Sequence, residues 1–358
     1  MFDDEKQEKL VEVFKKRFEN YNTYVLEELG EVIKQFKDLI PSQAYKLAQQ
    51  LKFNTTAKEM IKELARITKM SERDIEKVLE QVARENLGFA KVYYKAREMD
   101  VPIYEENKAL QRLVKATSNI AREEFKNLSK STGFALTDRK GMPIILDMEQ
   151  TYQETIDRCV MAVAQGKETY QQTMRKFMKQ LSDSGVRKIY YENQGKEYRG
   201  KIAERAYSQR IDTAIRRNVL DSVRELSNQT QMLFGKEFNS DGVEISVHEN
   251  PAPDHEDVQG KQFSNKEFQK FQKGEIAFDV KDVEYEPIKG KQHRRAISQY
   301  NCYHRVFAIL IGVSEPLYTD EQLAKIIENT HKEFEFKGHK YTVYEGTQLQ
   351  RKIETRIR

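Results

Sequence analysis

Two short stretches hold most of the ligating and nucleophilic side chains in this sequence. HENPAPDHEDVQG (248–260) supplies His248, Asp254, His255 and Asp257, and YNCYH (300–304) adds Cys302 and His304. Imidazole, thiolate and carboxylate are the ligands of zinc and related divalent ions, and the same groups serve in hydrolysis. All six histidines lie at or beyond His248, so a site built on imidazole belongs to the C-terminal region. The spacing fits no zinc signature, because CxxC pairs and an HExxH helix are both missing. A Cys302–His304 nucleophile pair would share one strand face, but no third group is evident to orient it. Patterns for a nucleophile elbow, a phosphate-cradling loop and a dinucleotide fingerprint are missing as well. The favoured reading is a loop that holds shape, with no ion and no cofactor. Pro251 and Pro253 stiffen it, Asp254 or Asp257 caps the next turn, Gly260 takes a positive φ, and Phe263 anchors the end. The alternative is a metal-dependent nuclease or hydrolase using His248, Asp254, His255, Asp257 and His304.

The distribution of breakers sets the scaffold around these residues. Of the 16 glycines only Gly30 and Gly88 precede residue 130, which predicts a helical N-terminal region and a turn-rich C-terminal one. Helical periodicity runs through Ile61, Leu64, Ile67, Ile75, Val78, Leu79 and Val82, and SERD (71–74) reads as a helix start capped by Ser71. STGFALTDRKGMP (131–143) is a linker or a hairpin turning at RKG. Residues 147–184 are helical with a break at Gly166, and VRKIYYENQGKEYRG (186–200) suits a short strand and turn. VEISVHEN (243–250) and VFAILIGV (306–313) read as strands, FEFKGHKYTVYEG (334–346) as a hairpin turning at Lys337–Gly338, and 273–295 as an exposed arm.

Composition narrows the functional classes. With 38% hydrophobic and 33% charged residues, well-solvated helices are expected, burying their stripes against a partner or a second copy. A net charge of +4 is too small for bulk attraction to a polyanion, so any nucleic-acid contact needs a local basic face. Two cysteines are too few for a disulfide framework and point to a reducing cytosol. The acidic N-terminus lacks the apolar core of a signal peptide, and no apolar run is long enough to span a membrane.

A helix expected over 199–226 provides the one basic face. Ala203, Tyr207, Ile211, Ala214, Ile215, Val219 and Leu226 fall on one side. Arg199, Arg205, Arg210, Arg216, Arg217 and Arg224 fall on the other, with the acids outside the centre of their sector. Such a stripe suits phosphates or an acidic protein rim, while the bland alternative is an ordinary solvated face. Nothing reads bases, so contact with double-stranded DNA would be blind to sequence.

Three ordered motifs carry a family resemblance: HENPAPDHEDVQGKQFS, then YNCYHRVFAILIGVSEPLYTDEQL (300–323), then YTVYEGTQLQRKIETRIR (341–358). Together they resemble the phage minor capsid protein 2 family, within the Mu F-like minor head proteins of tailed phages. The likeness is strong over about 150–358 and general over the N-terminal helices. It implies a virion component at or near the portal vertex, made in the host cytoplasm and without established catalysis. Its partners would be the portal protein, with the major capsid or scaffolding protein as further candidates, and it would take part in head assembly and DNA retention or delivery. The motif positions carried over are His248, Pro251, Pro253, Asp254, His255, Asp257, Gln259 and Gly260; Cys302, His304, Gly312, Ser314 and Pro316; and Tyr344, Glu345, Thr347, Gln348, Gln350 and Arg351. They are expected to form the structural heart of the C-terminal domain. Arg351, Lys352, Arg356 and Arg358 join the α-helical arginines as expected DNA contacts.

The architecture expected is α+β and predominantly helical. It comprises a helical docking region (1–145), a helical hairpin with the arginine-faced helix (146–238), and a small mixed domain (239–358).

Overall fold

A computed structural model describes residues 4–52, 54–96, 98–128, 131–138, 140–191, 206–273, 296–297 and 302–357. The N-terminal half contains α1 (Asp4–Gln35), α2 (Pro41–Lys52), α3 (Thr56–Ala96) and α4 (Lys108–Leu128). There follow β1 (Thr132–Thr137), β2 (Pro143–Asp147), α5 (Met148–Ala164), α6 (Lys167–Ser184), β3 (Arg187–Tyr191) and β4 (Ala206–Arg210). The remainder is α7 (Ile211–Glu237), β5 (Gly242–Ile245), β6 (Gln262–Ser264), α8 (Asn265–Gln272), β7 (Val306–Ile309), α9 (Asp320–His331), β8 (Glu333–Phe336), β9 (His339–Thr342) and α10 (Val343–Ile357). Helix dominates, and the strands form small antiparallel sheets ordered β2-β1-β3-β4, β6-β5-β7 and β8-β9. The protein is a predominantly helical α+β fold, as the breaker distribution predicts.

The chain groups into two compact units that interleave along the sequence: residues 8–77 with 119–219, and residues 1–7 with 78–118 and 220–358. In the first, α1 buries Val11, Phe14, Phe18, Tyr21, Val25, Leu29 and Val32, a stripe with helical spacing. Phe14 and Phe18 both stack on Phe125 of α4, and the Tyr21 hydroxyl donates to the Met60 carbonyl at 3.0 Å. Within this unit α1 therefore covers its apolar stripe against α3 and α4, while Val13, Ile40, Tyr45 and Ile120 stay exposed.

The break at Gly166 appears with φ +100, and β1 and β2 pair as a hairpin with Gly141 at φ +83 between them. The helix start at SERD does not form. Ser71 is buried inside α3, where its hydroxyl donates to the Ile67 carbonyl at 2.9 Å and accepts from Arg17 at 2.7 Å. Asp74 pairs with Arg17 at 2.7 Å. Ile67, Ser71 and Ile75 keep one helical stripe running through the capping signature, and buried periodicity wins.

The helix expected from residue 199 begins at Ile211 instead. Residues 206–210 pair antiparallel with β3, from Arg187↔Arg210 to Tyr191↔Ala206. Ladder hydrogen bonds to β3 outweigh a helical preference in that stretch.

In the second unit, β8 and β9 turn through Lys337 (φ +53) and Gly338 (φ +76), the two positive-φ positions a tight hairpin of this hand requires. The Phe334 ring lies over Gly346 of α10, where an added Cβ would come within 2.6 Å of it. Thr342 and Glu345 cap α10 reciprocally: the Glu345 amide donates to the Thr342 hydroxyl, and the Thr342 amide donates to the Glu345 carboxylate. Much of the stretch from 311 to 353 remains outside, with Val313 75%, Leu317 68% and Phe336 53% exposed. Among the described residues, no helix is long and apolar enough to cross a membrane.

Candidate functional site

β5 is the middle strand of its sheet, and it brings the two chemistry-bearing stretches together. Its register with β7 runs from Gly242↔Ile309 to Ile245↔Val306. Pairing continues past the strand ends: the Ser246 amide donates to the Arg305 carbonyl, and the Arg305 amide to the Ser246 hydroxyl, both at 2.8 Å. On the other edge the Gly260 amide donates to the Ile245 carbonyl at 2.8 Å, so the chain from 246 to 259 closes as a loop. Pro253 begins a 3-10 turn, Pro253–His255, in which the His255 amide donates to the Ala252 carbonyl. Gly260 has φ +69, and a Cβ there would overlap the Leu323 side chain of α9. The positive φ expected at this glycine is present, and close packing reinforces it.

Beneath the loop lies a core of Val243, Ile245, Val258, Phe268, Phe271, Ile297 and Val306, with Cys302 among them. Against that core His255 is 1%, His304 2% and Cys302 3% exposed. The Cys302 Sγ lies 3.5 Å from His255 Nδ1 and 3.4 Å from His304 Nδ1. One ligand atom from each of these three residues lies within 4.8 Å of the other two, an arrangement able to hold a metal ion.

The outer nitrogens of both rings have partners. His304 Nε2 is 3.2 Å from Gln259 Oε1, the oxygen that also accepts the His248 amide at 3.0 Å. His255 Nε2 is 3.8 Å from the buried Asp254 carboxylate. The third orienting group not evident in the sequence is thus supplied for His304 by Gln259.

The metal set expected from the sequence is only partly assembled. Asp257 is exposed on the loop surface and stands apart from the cluster of His255, Cys302 and His304. His248 is half-buried, its Nδ1 accepting the Asn250 amide at 3.2 Å, with its ring centroid 6.1 Å from that of His304. Cys302 and His304, which the sequence offers as additions to His248, Asp254, His255 and Asp257, are central. Pro251 and Pro253 are buried, while Gly312 occupies an exposed turn at φ +75. Tyr344, Glu345 and Gln348 lie on α10, with Glu345 and Gln348 exposed.

The arginines do not present one solvated face. Arg210 ends β4 and pairs with Asp212 at 3.3 Å. Arg216 reaches Glu8, its Nε 3.1 Å from the carboxylate, and Arg217 is half-buried. Arg224 is 3% exposed, donates to Gln7 at 3.1 Å and stacks its guanidinium 4.0 Å from the Tyr303 ring centroid. The partners of Arg216 and Arg224 come from distant stretches, which is why a single-helix projection could not show them. Arg199 and Arg205 lie outside the described residues, as do Arg358 and the side chains of Arg351 and Arg356; Lys352 is exposed.

These features define a helix-rich α+β protein in which His255, Cys302 and His304 are packed against an apolar core. Comparison with known families gives the class its name: the chain belongs to the phage minor capsid protein 2 family, whose model matches residues 3–358. It is therefore a capsid protein of bacteriophage type, a virion constituent that associates with other virion components. The family match extends over the N-terminal helices, beyond the stretch in which the sequence motifs lie. No curated protein and no solved structure matches the chain.

Proposed function

We propose that this protein acts structurally at the portal vertex of a tailed-phage head, joining the portal protein to the surrounding head and contributing to head assembly and DNA retention or delivery. The family match over nearly the whole chain carries this reading. The exposed apolar side chains of 311–353 support it, since apolar groups left in water suit burial against another protein. Within this proposal the portal contact falls to that surface, where Val313 and Leu317 are the most exposed large apolar side chains of this stretch. Contact with duplex DNA falls to the closing sequence RKIETRIR, with Arg351, Lys352 and Arg356, because Arg216 and Arg224 are engaged inside the protein.

The test pairs two measurements on the full chain. Affinity for immobilised portal is expected without DNA present. Affinity for random duplex DNA is expected to fall with salt, and charge reversal at Lys352 and Arg356 should reduce the logarithmic slope by about 0.9 for each phosphate no longer neutralised. Failure to retain portal under any assembly condition sinks the portal reading. An unchanged salt slope sinks the DNA role of this helix.

A further inference from the structure

We propose that His255, Cys302 and His304 bind a single zinc ion that pins the proline-stiffened loop to the chain entering β7. The proposal does not depend on the assembly role.

The donor set points to the ion. Gln259 Oε1 accepts the His248 amide, so the atom facing His304 Nε2 is an oxygen, and that ring nitrogen is the donor. His304 then turns Nδ1 toward Cys302 Sγ, and His255 Nδ1 faces the same sulfur. A thiolate and two imidazoles converging on one point are a ligand set for a dication: the thiol releases its proton to solvent, the thiolate donates a pair to the metal, and each imidazole donates one.

The distances agree with that chemistry. Zn–S near 2.3 Å and Zn–N near 2.0–2.1 Å on a tetrahedron set the sulfur–nitrogen edge at about 3.5 Å. The edges here are 3.5 and 3.4 Å. Gln259 and Asp254 stand where partners that orient ligating histidines are usually found. A water completes the fourth vertex.

Sulfur with two imidazoles favours zinc over calcium or magnesium, which take oxygen. Burial points to a structural ion rather than a catalytic one, because a nucleophile or metal-bound hydroxide must be reached by substrate. The other cysteine shows what burial alone does to a thiol that faces no imidazole. Cys159 faces Met174 Sδ at 3.6 Å, and burial pushes its pKa up to about 12, which keeps it protonated.

The full chain, purified without chelators or metal-affinity resin and dialysed against metal-scrubbed buffer, is expected to retain about one zinc per chain by elemental analysis. Replacing zinc with cobalt should give the near-ultraviolet thiolate-to-metal band and the intense visible bands of a four-coordinate site. Cys302→Ser should abolish both, whereas Asp257→Asn should leave the metal content unchanged. Chelation should lower the unfolding midpoint of the wild type by on the order of 10 °C. If Cys302→Ser does not fold, titrating the wild type with an organomercurial decides: zinc release should track modification of Cys302 and persist in Cys159→Ala. Metal-free protein with an unchanged midpoint, cobalt without the thiolate band, or rapid alkylation of Cys302 in the native protein at neutral pH would each overturn the proposal. The last would indicate a reactive thiolate–imidazolium pair.

Discussion

Two stretches of the same compact unit invert the usual partition of side chains, in opposite directions. The loop from 246 to 260, with residues 302–305, buries polar groups: Asp254, His255, Gln259 and His304. The stretch from 311 to 353 exposes apolar ones, among them Val313, Leu317, Phe336 and Ile353. Burying a polar group is costly unless a partner satisfies it, and leaving an apolar group in water forgoes about 25 cal/mol per Å². The loop finds its partners within the chain, through Gln259, Asp254 and the clustered imidazole and thiol groups. The exposed stretch finds none for its outer face among the described residues. The contrast separates what folding completes from what assembly must complete.

The largest effects should come from the loop side. Phe271 is fully buried beneath the cluster, its ring 6.2 Å from that of His255. Phe271→Ala should cost about 3–5 kcal/mol in urea unfolding of the full chain. A cost below about 1 kcal/mol would show that the core under the loop is loosely packed, and the contrast would collapse. Gly260→Ala comes next, at about 2–3 kcal/mol, combining a positive-φ penalty with overlap against Leu323. In the background of Leu323→Ala the overlap disappears and only the backbone penalty remains. The double variant should therefore lose less than the sum of the singles; strict additivity would mean that the two side chains do not meet.

Legibility in the sequence divides in the same way, between local and distant. Local signals are sound at the RKG and Lys337–Gly338 turns, the break at Gly166, the positive φ of Gly260, and the β5 and β7 strands. They mislead where a distant partner decides the outcome. SERD looks like a helix start, yet Ser71 is claimed by the buried stripe of α3 and by Arg17. Residues 206–210 look helical, yet β3 recruits them. Arg216 and Arg224 look solvated, yet Glu8, Gln7 and Tyr303 take them. Reciprocal cap boxes do close elsewhere, between the side chains and amides of Ser264 and Glu267 and of Thr319 and Gln322. The approach of His255 to Cys302, 47 residues apart, needs the topology of β5. Ligand types are visible in the sequence; their convergence is not.

The smallest effect on stability should come from the exposed stretch, where the largest effect on association is expected. Val313→Ser, Leu317→Ser and Phe336→Ser each replace a side chain already mostly in water, so the unfolding free energy should move by no more than about 0.5 kcal/mol. If the proposed portal contact is made here, combining the three should weaken retention on immobilised portal by at least about tenfold, because buried apolar anchors dominate such interfaces. The two readouts then diverge: folding nearly untouched, binding impaired. For Phe271→Ala the main loss should be in folding. Should the triple variant unfold as readily as Phe271→Ala, the stretch is part of the folded core and the contrast is false. Should it fold normally and still hold portal, the apolar surface serves another subunit, because water remains a poor permanent neighbour for Val313 and Leu317.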